Sequence, residues 1–146
     1  MSKPDYVYVT YIETTPEKLW DVLTSGDFSE RYWFGYRCAS DWTVGSAFCL
    51  VRDGSNAVEG EVLAVDPPKQ LAYSWDVVKD GAEREHTSRV TFDIEPRGRV
   101  VKLTVTHDNL GPRTLRNVSG GWPMVIASLK SFLETGRAMP ADLPTC

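Results

Sequence analysis

The 146 residues carry 20 acidic against 16 basic side chains, and a formal charge of −4 argues against a nucleic acid or an anionic membrane surface as partner. With 42% hydrophobic and 25% charged residues, the composition is that of an ordinary globular chain, long enough for one core and short for two. Five Trp, six Tyr and five Phe are many for this length, and predict either a thick core or a lined cavity.

The opening residues run almost at once into an extended segment. There is no apolar signal core and no stretch long enough to cross a bilayer, so a reducing cytoplasm is the expected compartment and no membrane insertion is expected. Cys38, Cys49 and Cys146 are an odd set without C-x-x-C spacing, which indicates neither a disulfide framework nor a zinc site.

Residues 6–13, rich in Tyr, Val, Thr and Ile, predict a first strand. Thr15-Pro16-Glu17-Lys18 is a helix start: a hydroxyl cap, a proline at the first helical position and an acid in the first turn. Leu19, Trp20 and Leu23 give that helix a short apolar face. Ser25-Gly26-Asp27 ends it and caps a second short helix over 28–33.

Between residues 45 and 107 strands alternate with turn signals. Strands are predicted over 46–51, 58–65, 70–77, 87–94 and 100–106, punctuated by Asp53-Gly54-Ser55-Asn56, Asp66-Pro67-Pro68, Asp80-Gly81 and Pro96-Arg97-Gly98. The spacing suits antiparallel neighbours, because parallel strands would need helices between them. Alternation puts Leu71, Tyr73 and Trp75 on one face, with Val90, Phe92 and Ile94, and Val101, Leu103, Val105 and His107, forming matching sets. Glu59 and Glu61 share an outward surface, Asp76 has the parity opposite to Trp75, His86 lies at a solvated hairpin edge, and Arg97 and Arg99 flank a hairpin tip.

The last element, residues 115–136, is a helix. Trp122, Val125, Ile126, Leu129, Phe132 and Leu133 fall on one stripe, which Leu115 and Val118 continue upstream, while Ser128, Lys130, Ser131, Glu134 and Thr135 take the other face. Burying the six is worth roughly 9–18 kcal/mol gross, which only a sheet wrapped around the stripe can realise. Gly136 is placed for a left-handed C-cap, with Pro140 beyond. Pro123, after Gly120-Gly121, predicts that the helix either kinks or begins there. Residues 1–137 are thus expected to form a single domain, with 138–146 as a loose tail.

This order resembles the helix-grip fold of the START/SRPBCC superfamily, an α+β fold in which a curved antiparallel sheet wraps a long C-terminal helix. Ile12-Glu13-Thr14-Thr15-Pro16-Glu17-Lys18-Leu19-Trp20 and Tyr32-Trp33-Phe34 resemble the N-terminal signature of the family named for homologues of the activator of the heat-shock-protein-ninety ATPase. Val65-Asp66-Pro67-Pro68, Leu71-Ala72-Tyr73-Ser74-Trp75, Gly121-Trp122 and Leu129-Lys130-Ser131-Phe132-Leu133-Glu134-Thr135-Gly136 resemble it further, so that the likeness runs over residues 6–137 as in single-domain bacterial members. The resemblance implies an internal cavity between sheet and helix. It does not imply one activity, and a chaperone partner is only the alternative that the family name raises.

Candidate cavity-lining residues are Trp33, Phe48, Tyr73, Trp75, Leu103, Val105, His107, Trp122, Val125 and Ile126. Indole and phenol groups need hydrogen-bond partners when buried, which favours polar or watery space beside them, and a concavity of about 300 Å³ or more is expected. His107 has two readings: a polar anchor or acid/base facing the ligand, or a strand-end histidine bonded to its neighbours. No nucleophile elbow, phosphate loop or metal-binding spacing is present, and neither cofactor nor metal is expected. The leading expectation is a binding module for a small apolar or aromatic molecule. The alternatives are a cyclase/dehydratase-like enzyme using the same cavity and a co-chaperone or protein-interaction domain.

Overall fold

The structure, a computed structural model, describes residues 5–78 and 85–140. Strand β1 (Tyr6–Ile12) leads into helices α1 (Pro16–Leu23) and α2 (Gly26–Tyr32). Strands β2 (Arg37–Ser40), β3 (Ala47–Arg52), β4 (Ser55–Asp66), β5 (Gln70–Val77), β6 (Ser88–Arg97) and β7 (Val100–Asp108) follow, and then helix α3 (Pro112–Thr135). All strand pairs are antiparallel, and the sheet runs β1-β7-β6-β5-β4-β3-β2. Only β1 leaves chain order, returning to pair with β7, with Tyr6 opposite His107. The predicted Asp80-Gly81 turn and Cys146 lie outside the described residues.

Local chemistry sets the first two helices. Thr15 is extended and its Oγ1 accepts the Lys18 N–H at 3.2 Å, with Pro16 supplying a preset φ where no hydrogen bond is needed. Ser25 caps α2 in the same way through the Phe28 N–H. Strand β2 was not foreseen: it is four residues long, with only Cys38 buried, too short to show alternation.

The sheet bends where its register shifts, at Leu50/Val51 and at Val62/Ala64. Gly60 lies between them on the inner face, where a Cβ would overlap the main-chain carbonyl of Ser74. Gly60→Ala should therefore destabilise the protein by about 1–3 kcal/mol, as overpacking against backbone does. A chemical denaturation midpoint equal to that of the parent would refute this.

Helix α3 packs on the inner face of the sheet. Trp122, Val125, Ile126, Leu129 and Leu133 are buried as the stripe requires, with Val118 extending it. Three expectations are corrected. Phe132 and Leu115 are half-buried; Phe132 lies at the edge, with Phe28 at 5.7 Å and the Arg31 guanidinium over its ring. Ser128, assigned to the solvent face, is fully buried, because the chain turns back after Gly136 and the Met139 N–H donates to Ser128 Oγ at 3.2 Å. Ala138 packs on the core beside it.

The helix begins at Pro112, eleven residues before Pro123, which sits inside it. Gly111 has no side chain to cap the first turn, and Glu85 does so instead. Its carboxylate accepts the Thr114 hydroxyl at 2.7 Å, the Thr114 N–H at 2.8 Å and the Arg113 N–H at 3.1 Å. A Cβ at position 111 would overlap that carboxylate, so a larger residue there would push Glu85 off the cap. The Thr114 hydrogen bonds hold the Glu85 carboxyl below the usual carboxylate range. At the other end Gly136, at φ 81°, returns its N–H to Phe132 O, as the C-cap expectation stated. Lys130 Nζ donates to both Tyr11 O and Glu134, whose carboxylate accepts the Glu13 N–H, and this fastens the helix to the end of β1.

Candidate functional site

Three indoles from three elements meet at one end of the core. Trp33 ends α2, Trp75 points inward from β5, and Trp122 faces the sheet from α3. Their ring centroids lie 5.5 Å (Trp33–Trp122), 5.6 Å (Trp75–Trp122) and 6.3 Å (Trp33–Trp75) apart. Beside them is a cavity of about 220 Å³, smaller than the 300 Å³ expected. Leu50, Val58 and Val77 line it from the sheet, Val118 and Val125 from the helix, with Tyr36, Thr114 and Asn117 adding polar groups. No charged side chain is on this wall among the described residues. A second hollow of about 50 Å³ shares Trp75, Val77, Thr114 and Asn117 with the first, and Glu85, His86 and Arg113 complete it.

Trp33, Trp75, Trp122 and Val125, named from the sequence, line the cavity. Phe48, Tyr73, Leu103, Val105, His107 and Ile126 do not; they are buried behind it. Phe48 and Tyr73 stack on each other at 3.9 Å, and Tyr73 continues to Phe92 at 5.7 Å, so this part of the inner face is filled by side chains. Strand parity identifies a face, not a position along it, and the cavity occupies only one end. Thr114 and Asn117 escaped notice because the helix starts earlier than its large apolar residues indicate.

His107 is fully buried and both ring nitrogens are engaged. Trp122 Nε1–H donates to Nδ1 at 3.1 Å, and since an indole can only donate, Nδ1 is the acceptor. The proton is therefore on Nε2, which donates to Ser88 Oγ at 2.8 Å, and Ser88 in turn donates to Trp75 O at 3.1 Å. The chain is directional and complete. Burial pushes the imidazole down to about 4, with Asp5 pulling weakly the other way, so it is neutral at pH 7. The outward residues lie where parity puts them: Glu59, Glu61 and His86 are exposed, and Asp76 accepts the Thr87 hydroxyl.

Among the described residues no cluster of His, Cys, Asp or Glu could hold a metal ion, and no helix is long and apolar enough to cross a membrane. Sheet, helix and the cavity between them define a helix-grip protein of the α+β class. Residues 13–134 match the model of the family described as Activator of Hsp90 ATPase homolog 1-like protein, and the chain belongs to that family.

Among solved structures, it is similar to a protein from Mesorhizobium loti, at 29% identity and a TM-score of 0.74 over 88% of this chain and 96% of the other. The Aha1 dimer from Colwellia psychrerythraea shares the fold at 22% identity and a TM-score of 0.74, over 90% and 97% of the two chains. So does a protein described as an HSP90 activator from Plasmodium falciparum, at 20% identity and a TM-score of 0.71, over 88% and 94%. No curated protein matches the chain.

Proposed function

We propose that residues 1–137 act as a cytoplasmic binding module for a small apolar or aromatic molecule held between the sheet and α3. The observation that supports this most is the 220 Å³ cavity walled by three indoles and aliphatic side chains. A dry cavity of about 150 Å³ suffices for benzene, whereas drug-sized ligands use about 300 Å³ or more. The occupant is thus a molecule of one or two rings, bound by burial of apolar surface and stacking. A solid aromatic core would offer no such space.

Ligand retained through purification should be released on denaturation and appear in the organic extract by mass spectrometry. If none is released, and bicyclic aromatic probes neither bind by calorimetry nor raise the melting temperature, the reading fails.

A second reading, stimulation of the heat-shock ATPase through the protein's surface, is supported by the family's name and by the description of the Plasmodium relative. A coupled ATPase assay with and without the chain separates it from the first. The cyclase alternative rested on His107 as acid and base, and it loses support because neither ring nitrogen faces the cavity.

A further inference from the structure

The three indoles do not use their N–H groups alike. Trp122 spends its donor on His107. Trp75 Nε1 is shielded from solvent and has no hydrogen-bond partner among the described residues, although Trp75 is only 7% exposed and its own carbonyl is taken by Ser88. A buried donor without a partner is a standing cost that any acceptor reaching it would relieve. Its ring borders both the 220 Å³ cavity and the 50 Å³ hollow, so an acceptor held in either space lies beside the same indole.

We propose that the cavity's ligand is a neutral aromatic carbonyl compound whose oxygen accepts the Trp75 Nε1–H. This rests on the cavity reading above and narrows it. The wall supplies the remaining terms. The wall of the 220 Å³ cavity has no charged side chain among the described residues to offset the desolvation of an ionic ligand, which favours neutral molecules over charged carboxylates and amines. Trp33, Trp122 and Val125 cover an apolar ring system. An indole only donates, so the group it meets must be an acceptor. The Thr114 hydroxyl already donates to Glu85 and does not duplicate the role.

The probes are 1-tetralone and tetralin, which share a bicyclic skeleton and differ in one carbonyl. Each is titrated into the parent protein and into Trp75→Phe, which keeps an aromatic ring and removes the N–H. The ratio of tetralone to tetralin affinity should fall about tenfold in the variant, the worth of one hydrogen bond in a closed cycle that cancels the probes' differing hydration. An independent readout needs no variant: in the ¹⁵N-labelled parent one indole N–H resonance should move downfield with tetralone and stay in place with tetralin. An unchanged ratio, or no indole resonance that distinguishes the probes, overturns the donor assignment while leaving the cavity as a binding site. Failure of both probes to bind overturns the cavity reading and this inference with it.

Discussion

Leu129→Ala lowers the free energy of unfolding by about 2–5 kcal/mol, the range for a leucine truncated in a packed core. Leu129 is wholly inaccessible and lies at the middle of the α3 stripe, between Ile126 and Leu133 on the face that meets the sheet. The loss has two parts: the transfer free energy of the missing methyl groups and the void they leave. The surrounding sheet is continuous and cannot collapse freely into that void, which places the effect away from the low end. Urea denaturation of parent and variant measures it. A difference near zero would mean that α3 does not hold the core together, and the account of the fold would go with it.

The long elements were legible because their patterns repeat. The α3 stripe recurs over three turns, and the alternation of Val101, Leu103, Val105 and His107 states its own inner face. Strand β5 was bounded correctly at Gln70–Val77 by a proline turn before it and polar residues after it. What stayed hidden depends on contacts remote in sequence. Ser128 reads as polar and exposed until Met139 folds over it. The α3 start was obscured because its cap is not in the local sequence: Glu85, twenty-nine residues before Thr114, supplies it. His107 was placed on the correct face, but only the structure shows that Trp122 and Ser88 claim both nitrogens before a ligand could. In the cavity, parity named the inner face and left open which end of it is hollow.

The engagement of His107 sets a pH dependence. The folded imidazole titrates at about 4, against 6.5 for the unfolded chain, so between those values the unfolded state holds more protons. Stability from this group is complete above pH 6.5 and is lost as pH falls toward 4, by about 3 kcal/mol at most, taking about 1.4 kcal/mol per pH unit. Burial is what resists the charge there, and a protonated Nδ1 would in addition confront the Trp122 N–H donor to donor. His107→Gln keeps a donor and an acceptor but does not titrate. Subtracting its stability profile from that of the parent cancels the carboxylates common to both, and the difference should slope between pH 6.5 and 4. A flat difference over that window would show that the imidazole is not held neutral by its surroundings. Because the ring lies behind the cavity wall, His107→Leu should reduce stability by leaving the Trp122 and Ser88 groups unpaired, while a variant that still folds retains affinity for an apolar probe.

The mutual contact of Trp33, Trp75 and Trp122, at centroid distances of 5.5–6.3 Å, also gives the protein a built-in optical reporter. At that separation electronic excitation passes among the rings faster than it is emitted, and their ultraviolet transitions couple into a circular-dichroism band that isolated indoles lack. Light absorbed by any of the three is therefore emitted from a shared state beside the cavity. A molecule that enters the cavity should perturb that emission, and once the contributions of Trp20 and Trp42 are subtracted, occupancy can be followed without a label on either partner.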